Sequence, residues 1–271
     1  MAGQKKIACA VTVAGSDSGG GAGLQADLKT FEALRVHGTT VVTCVTAQNP
    51  KRVIGVEACS PSIVRRQLEA VFEELDPAAA KTGMLYSTEI IREVARFFGR
   101  RTVPLVVDPV MVATSGSRLL KREAVNVLCE ELLPCAFLIT PNLPEAEVLT
   151  GRRLSSVEDL RRAARSLNRK FSCAALVKGG HLRGLKQAID IYYDGKNELL
   201  LSAPFIGGVN THGTGCTYSA AITACLARGI SLAGAVQRAK EFITQAIAHS
   251  QTSAGHSVLG RRGLRAGNRR I

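Results

Sequence analysis

Residues 210–221 read Asn-Thr-His-Gly-Thr-Gly-Cys-Thr-Tyr-Ser-Ala-Ala and place two glycines directly before an apolar run typical of a buried helix. Gly213 and Gly215 let the backbone turn tightly, and the first amides of a helix have no partner within it. Such a turn binds anions, most often phosphate, because the helix dipole favours negative charge there. Cys216 lies in the first turn, where we expect the pKa of its thiol to fall. The alternative is that the glycines cap a core helix and Cys216 is a small buried side chain.

Other polar side chains follow predicted strands, and ligands of open α/β sheets bind beyond the carboxyl ends of the strands. Asp108 follows the strand Val103–Val107, where a carboxylate is costly unless it is paired or binds a cation. Asn142 and Glu145 lie three residues apart at a helix start, a spacing that suits Mg²⁺ binding or a capping box equally well. Lys178 ends another buried strand and either contacts a phosphate as a point charge or is solvated.

The loop after the first strand, residues 14–27, holds five glycines and two aspartates. It does not match the dinucleotide fingerprint, because Leu24 stands where the third glycine is needed, and Leu28 excludes the P-loop pattern. The backbone of this loop can still approach a ligand closely, and Asp17 and Asp27 offer acceptors. The alternative for Asp27 is a position on a solvated helix face.

Two further residues after strands could contact a flat ring. Gln48 follows the strand Thr39–Thr46, and its amide offers donors and an acceptor that match the edge of an aminopyrimidine. Met84 follows the strand Ala78–Thr82 and either belongs to the core or forms an apolar wall. Gln48 could equally be an ordinary loop residue.

Apolar strand patterns alternate with amphipathic helical patterns along most of the chain, which predicts a mostly parallel sheet with helices on both faces. Asp194-Gly195 between two strand patterns predicts an antiparallel hairpin at one edge. The strands are predicted at Ile7–Ala14, Thr39–Thr46, Ala78–Thr82, Val103–Val107, Ala136–Thr140, Cys173–Lys178, Ala188–Tyr193 and Glu198–Ser202. The helices are predicted at Leu24–Leu34, Ile63–Leu75, Thr88–Phe98, Glu123–Leu133, Pro144–Thr150, Val157–Phe171, Gly215–Ala227 and Leu232–Ser250.

Composition narrows the class of protein. The chain has 271 residues and is 46% hydrophobic, enough for one large domain, which we place at residues 1–252. The eight cysteines are scattered without a Cys-x-x-Cys pair, as expected of reduced thiols in a cytoplasmic protein. No segment approaches the length of a membrane span. The net charge of +13 includes five arginines in residues 261–271 and no basic stripe interleaved with aromatics, so we expect no nucleic-acid partner. Residues 253–271, rich in Gly and Arg, are expected to form a mobile tail.

As a set, these motifs resemble the hydroxymethylpyrimidine/phosphomethylpyrimidine kinases of thiamine biosynthesis, members of the ribokinase-like superfamily. The matching segments run in order from residue 7 to about residue 250: Ala14–Asp27, Ala47–Asn49, Lys81–Met84, Val107–Met111, Ile139–Glu145, Lys178–His181 and Asn210–Thr217. The resemblance implies a ribokinase-like fold and a homodimer. It also implies transfer of phosphate from ATP, with Mg²⁺, first to 4-amino-5-hydroxymethyl-2-methylpyrimidine and then to the monophosphate.

The resemblance also assigns roles to single residues. It implies a pyrimidine pocket formed by Gly15, Asp27, Gln48, Met84, Val110 and Cys216. It implies a Mg²⁺ site at Asp108 and Glu145, and ATP phosphates near Thr140, Asn142, Lys178 and Thr214. The catalytic group comprises Gly213, Gly215, Cys216 and Lys178, with Cys216 in the place where sugar kinases of the superfamily carry an Asp base.

Departures and alternatives remain. The family often has Asp-Pro-Ser-Gly-Gly where this chain has Asp17-Ser-Gly-Gly-Gly21, and the Arg-rich end from Arg261 has no counterpart that we can place.

Kinases of pyridoxal or pyridoxine share the Gly-Thr-Gly-Cys ending and are the nearest alternative, although Gln48 favours the pyrimidine. A pyrimidine-phosphate sensor or DNA-binding regulator without catalysis is a second alternative, and it has no need of Asp108 or Lys178.

Overall fold

The computed structural model describes residues 7–111, 120, 122–180, 182, 186–207 and 212–261. Its strands are β1 (Cys9–Asp17), β2 (His37–Asn49), β3 (Arg52–Ala58), β4 (Ala79–Thr82), β5 (Leu105–Val107), β6 (Leu138–Ile139), β7 (Ala174–Lys178), β8 (Gln187–Tyr193), β9 (Glu198–Pro204), β10 (Gln251–Ser253) and β11 (His256–Val258). Its helices are α1 (Gly23–Ala33), α2 (Pro61–Glu74), α3 (Thr88–Phe98), α4 (Arg122–Val127), α5 (Leu143–Thr150), α6 (Val157–Phe171), α7 (Thr214–Ala227) and α8 (Leu232–Ala248).

Nine strands form one sheet in the order β3-β2-β1-β4-β5-β6-β7-β8-β9. The six strands from β2 to β7 in this order are parallel to their neighbours, whereas β8 and β9 form the antiparallel hairpin at one edge. The predicted α/β fold and its hairpin are therefore confirmed. Strand β3, antiparallel to β2 at the other edge, was not predicted. Its sequence, Arg-Val-Ile-Gly-Val-Glu-Ala, contains a glycine and two charges and is mostly exposed, so its apolar pattern is weak.

Two cores hold the layers together, one on each face of the sheet. Helices α2 to α6 pack on one face, for example through Leu68, Ile91 and Leu160. Helices α1, α7 and α8 pack on the other face, for example through Phe31 and Ile222. Neighbouring positions along β5 alternate between these cores, as the period of two in a strand requires. Covering both faces leaves the carboxyl ends of the parallel strands as the edge where a ligand can reach the backbone.

Part of the segment that the sequence predicts as a mobile tail, residues 253–261, is described by the structure. β10 and β11 pair as a small antiparallel hairpin within the segment expected to be mobile. Beyond it, Leu259 and Arg261 are only 6% and 5% exposed. Ordered chain therefore continues past the expected boundary at residue 252, and the rest of the predicted tail, residues 262–271, lies outside the described residues. Among the described helices, none combines the length and apolarity needed to cross a membrane.

Candidate active site

Asp108 and Lys178 form an ion pair at the carboxyl edge of the sheet. Asp108 directly follows β5, and its Oδ1 lies 3.1 Å from Nζ of Lys178 at the end of β7. The same oxygen accepts a hydrogen bond from Thr140 Oγ1, and Oδ2 accepts one from Ser219 Oγ of α7. Burial opposes ionisation of Asp108, yet the charges of Lys178 and Lys81 hold its pKa below the ordinary value. The pair is charged and joins three strands to α7.

The two glycines at the start of α7 lie against this pair. Gly213 precedes the helix at φ 78°, a left-handed conformation that favours glycine, and a Cβ there would overlap the carbonyl oxygen of Gly21. A Cβ on Gly215 would lie 3.3 Å from Nζ of Lys178 and 3.8 Å from Oδ2 of Asp108. Thr214 Oγ1, between the glycines, is buried without a hydrogen-bond partner in the described part of the chain. The start of this helix, which has no side-chain cap within the described part of the chain, therefore adjoins a buried ammonium group.

Asn142 and Glu145 form the capping box that the sequence allowed as one alternative. Glu145 N donates to Asn142 Oδ1 at 3.0 Å, and Asn142 N donates to Glu145 Oε2 at 2.9 Å. Asn142 also forms a parallel bridge with Lys178, which brings the start of α5 beside the Asp108 pair. Burial raises the pKa of Glu145 to about 7 against the charge of Lys178, and the like charge of Asp108 adds to the rise. Although Glu145 caps α5, its carboxylate still lies close to the charges of Lys178 and Asp108.

Asp27 lies in a second buried ion pair. Its Oδ2 lies 2.8 Å from Nζ of Lys81 and accepts a hydrogen bond from Thr12 Oγ1 at 2.7 Å. Both charged side chains are completely buried, so the solvated-face alternative for Asp27 is wrong. Burial alone lowers the pKa of Lys81, but Asp27 and the more distant Cys216 and Asp108 raise it, so Lys81 remains charged. Oδ1 of Asp27 has no hydrogen-bond partner among the residues described.

Gly15 of β1 and Met84, which follows β4, lie close together. A Cβ on Gly15 would lie 2.6 Å from Cys44 Sγ and 3.6 Å from Met84 Sδ, so only glycine fits beside these two sulfur atoms. Thr43 Oγ1 donates to the carbonyl oxygen of Met84 at 2.7 Å, which fixes the chain after β4. Met84 is partly exposed, and its side chain is not enclosed by the core.

Gln48 and Val110 stand at the ends of β2 and β5. The backbone of Gln48 is held by Ser18, and its partly exposed side-chain amide makes no hydrogen bond to any described residue. Val110 is also partly exposed, and its N–H donates to the carbonyl oxygen of Asp108. Both side chains are available to a ligand.

Comparison with known proteins decides the family. The model of the family described as phosphomethylpyrimidine kinase matches residues 17–260. This chain belongs to that family. It is 51% identical to the hydroxymethylpyrimidine/phosphomethylpyrimidine kinase of Rhizobium meliloti (strain 1021), over 89% of this chain and 90% of that protein.

Solved structures of phosphomethylpyrimidine kinase and of pyridoxal kinase share the fold. A phosphomethylpyrimidine kinase from Clostridium difficile 630 is 44% identical, covers 89% of this chain and all of its own, and has a TM-score of 0.79. An ADP complex of Bacillus subtilis pyridoxal kinase is 37% identical, covers 94% of this chain and 98% of its own, and has a TM-score of 0.87. The predicted family and the ribokinase-like kinase fold are confirmed, and the chain is a kinase.

One expectation for this kinase is wrong: the pKa of Cys216 is not lowered. Burial raises it to about 11, and this outweighs the positive charge of Lys81 and a backbone hydrogen bond from Gly23. Nearby Asp27 and Asp108 add to the rise. The helix start is not enough to ionise the thiol, because acidic groups and apolar burial surround it. At neutral pH the Cys216 side chain is a protonated thiol.

Asp17 was noted in the sequence but not assigned a role, and the structure makes it the organiser of the glycine loop. Its carboxylate accepts hydrogen bonds from the amides of Gly19, Gly21 and Ala22 at 2.8, 3.1 and 2.8 Å. Burial opposes ionisation, but His212, 3.2 Å away, and the loop amides hold the pKa of Asp17 below its ordinary value. Asp17 therefore shapes the loop that contacts the start of α7. An aspartate before a glycine run was the available signal.

Proposed function

We propose that this protein transfers the γ-phosphoryl group of ATP to 4-amino-5-hydroxymethyl-2-methylpyrimidine and then phosphorylates the monophosphate to the diphosphate, for thiamine biosynthesis. The observation that carries this proposal is the Lys178–Asp108 pair directly beside Gly215 at the start of α7. Helix amides and a buried ammonium group together suit a phosphoryl group that gains negative charge during transfer. Membership of the phosphomethylpyrimidine kinase family supports the same reaction.

In this reaction, the hydroxymethyl oxygen attacks the γ-phosphorus in line, and the bond to the β-phosphate oxygen of ATP breaks. The amides of Gly213, Thr214, Gly215 and Cys216 hold the transferring group, and Lys178 neutralises charge on its oxygens. Thr140 and Asn142 lie beside Lys178 and position the ATP phosphates. Cys216 contacts the hydroxymethyl group as a neutral thiol, and the proton of the attacking alcohol passes to an oxygen of the transferred phosphoryl group.

Asp108 and Glu145 are the proposed ligands of Mg²⁺. The two carboxylates lie close enough that the charge of Asp108 raises the pKa of Glu145, and Mg²⁺ needs only one or two carboxylates together with phosphate oxygens. When bound, Mg²⁺ neutralises phosphate charge during transfer.

The pyrimidine pocket is proposed at the edge formed by β1, β2, β4 and β5. Gly15 lets the backbone of β1 pass close to Cys44 and Met84, and the unbonded oxygen of Asp27 and the amide of Gln48 supply polar contacts. Val110 and Cys216 complete the proposed pocket. Buried polar atoms normally have partners, so an unbonded Asp27 oxygen supports a ligand contact there.

Pyridoxal is the second candidate substrate. The observation in its favour is the TM-score of 0.87 with the B. subtilis pyridoxal kinase, against 0.79 with the C. difficile phosphomethylpyrimidine kinase. Sequence identity points the other way, 44% to the pyrimidine kinase and 37% to the pyridoxal kinase. Backbone similarity reports the shared scaffold, whereas the side chain of Gln48 reads the amino edge of the ring, so we favour the pyrimidine.

The deciding experiment incubates the purified protein with ATP and Mg²⁺ and supplies each acceptor separately: the hydroxymethylpyrimidine, its monophosphate and pyridoxal. We expect kcat/KM for both pyrimidines to exceed that for pyridoxal. In Gln48→Ala, we expect this preference for the pyrimidines to become smaller or to reverse. Asn49→Ala, at the next position of the same strand, is the control. Equal use of pyridoxal, or no effect of Gln48→Ala, contradicts the assignment. No product from any acceptor, together with salt-sensitive DNA binding, indicates the regulator instead.

The cytoplasm and a homodimer are the proposed location and assembly. Free thiols throughout the described chain support a reducing compartment. Val45 on β2 and Ile54 on the edge strand β3 are 54% and 65% exposed, which supports pairing with a second copy there. Light scattering after gel filtration should give twice the monomer mass for the wild type and a lower mass for Ile54→Asp. A monomeric wild type contradicts the dimer.

A further inference from the structure

Arg261 binds both sides of the glycine cradle, which we define as the loop at Gly21 and the first turn of α7. Its Nε and Nη2 donate to Thr217 Oγ1 at 3.1 and 2.7 Å, and Nη2 also donates to the carbonyl oxygen of Gly21 at 3.3 Å. Gly21 already touches Gly213, where a Cβ would overlap its carbonyl oxygen. The guanidinium group therefore holds the two sides of the cradle together.

Arg261 is a buried cation without a carboxylate partner. It is 5% exposed and forms no ion pair with any described residue. No undescribed residue is Asp or Glu, so every side-chain carboxylate of the protein lies in the described part of the chain. By contrast, the buried Lys81, Lys178 and Lys240 each lie within 3.1 Å of an aspartate oxygen.

An unpaired buried charge is costly, and proteins normally pair such a charge or use it to bind a ligand of opposite sign. Nη1 of Arg261 makes no hydrogen bond to the residues described, whereas Nε and Nη2 are bound to the cradle. Burial lowers the pKa of the guanidinium group, and the nearby Cys216 and Asp27 counteract that fall. Thr217, which accepts from Arg261, lies in the first turn of α7, so the charge of Arg261 acts at the phosphate end of the site.

We propose that Arg261 is a positioning residue of the phosphoryl-transfer site, which fixes the cradle and whose uncompensated positive charge is balanced by the phosphate groups bound there. This inference rests on the proposed function, and it deepens that function by separating the two reactions. The first acceptor is a neutral alcohol, but the second is a phosphate monoester that carries its own negative charge. An extra positive charge matters more when two anionic groups must meet, so Arg261 should favour the second phosphorylation.

The test compares Arg261→Gln and Arg261→Lys with the wild type in steady-state kinetics on both pyrimidine acceptors. Arg66→Ala is the control, because Arg66 is an exposed arginine of α2 with no ion pair in the described structure. We expect kcat of Arg261→Gln with the monophosphate to fall roughly 10²-fold, the scale for loss of one preorganised donor. With the alcohol as acceptor, the fall in kcat should be several-fold smaller. Because Arg261→Lys keeps the charge, its loss of kcat should differ much less between the two acceptors than the loss in Arg261→Gln. Equal losses for both acceptors overturn the electrostatic part of the proposal.

A binding measurement separates this proposal from the proposed function. Inorganic phosphate should raise the thermal midpoint of the wild type and of Arg66→Ala, and the rise should be much smaller in Arg261→Gln. If the wild type phosphorylates neither pyrimidine, the proposed function fails, while the phosphate-induced shift still tests Arg261. An undiminished shift in Arg261→Gln overturns the inference. If Arg261→Gln does not fold, Arg261→Lys and Thr217→Val, which removes the hydroxyl that Arg261 binds, carry the same comparison.

Discussion

Two buried Lys–Asp pairs of this protein have nearly the same burial but different surroundings. In the pair at the cradle, the side chains of Lys178 and Asp108 are 11% and 3% exposed, and in the pair between α8 and β8, those of Lys240 and Asp190 are 10% and 5% exposed. Their closest N–O distances are 3.1 and 2.7 Å. Burial of a charged pair is therefore no sign of function by itself.

The difference lies in what else surrounds each pair. Lys240 also donates to the carbonyl oxygen of Ala188, and Asp190 also accepts from the amide of Gly179, so these bonds fasten α8 to the hairpin. The Lys178–Asp108 pair instead adjoins Gly215 and the carboxylate of Glu145. A buried pair whose other hydrogen bonds go to backbone groups holds elements of the fold together. A buried pair beside the start of a helix and a further titratable group can act on a ligand.

The largest expected effect is on catalysis at Lys178. In Lys178→Met, we expect kcat to fall roughly 10²–10³-fold, the scale for removal of one charged or preorganised donor from a transition state. The change also leaves Asp108 buried without its cation, so folding must be checked by circular dichroism and thermal melting. A folded Lys178→Met variant with wild-type kcat would place the pair in the same structural class as Lys240–Asp190.

Lys240→Met is the matched change in the other pair. Removing one partner of a buried ion pair costs about 3–5 kcal/mol, because the remaining carboxylate has no counter-charge. We expect urea unfolding to show a loss of this size, while kcat and KM of the folded fraction change less than about threefold, since the hydrogen bonds of the Lys240 ammonium to described residues go to β8 of the hairpin. A large fall in kcat without a loss of stability contradicts the contrast between the two pairs.

Glu145, which lies beside the Lys178–Asp108 pair, should make the stability of the protein depend on pH. Burial raises its pKa from 4.5 to about 7 on folding. The folded protein therefore binds more protons than the unfolded chain between these pH values, and stability falls as the pH rises through this window. The full shift corresponds to about 3 kcal/mol. In Glu145→Gln, whose amide oxygen can still accept from Asn142, we expect this decline to flatten.

The measurement is the unfolding free energy from pH 4 to pH 8 in EDTA, with Glu147→Gln as the control on the same helix. The same decline in Glu145→Gln and in the wild type shows that Glu145 is not the group responsible. Added Mg²⁺ should stabilise the wild type most above pH 7, where the carboxylate is charged, and should stabilise Glu145→Gln less. Equal stabilisation of both proteins contradicts the proposed Mg²⁺ ligand.

The sequence predicted the sheet, its edge hairpin and the arrangement of the site on one edge, because strand period, helix caps and glycine spacing are local signals. It also singled out Asp108 and Lys178 by their positions at the ends of buried strands, and Glu145 by its spacing from Asn142 at a helix start. It missed the partners of these residues. Ser219, inside α7, is bonded to Asp108 only through packing of a helix against the sheet, which no spacing along the chain reports.

Arg261 shows the same limit more clearly. Its sequence context, Gly260-Arg-Arg-Gly263, is typical of a charged tail, and only the fold brings it to Thr217, 44 positions earlier in the chain. The pKa of Cys216 was mispredicted for a related reason. The helix start is visible in sequence, but the burial that outweighs it and the acidic groups that add to the rise, Asp27 of α1 and Asp108 after β5, are brought to Cys216 by the fold.

Cys216 is where the smallest effect is expected. Because its pKa is about 11, the thiol is protonated at pH 7–8 and does not accept the proton of the attacking alcohol. We expect Cys216→Ala to keep kcat within about tenfold of the wild type, and the pH profile of kcat to lack a limb from the thiol. Cys225→Ala, a change of a buried cysteine on the same helix, controls for loss of packing. If Cys216→Ala loses more than 10²-fold while Cys216→Ser and Cys225→Ala remain active, the side chain at residue 216 does take part in proton transfer, and the phosphate-bound enzyme must hold it in a different charge state.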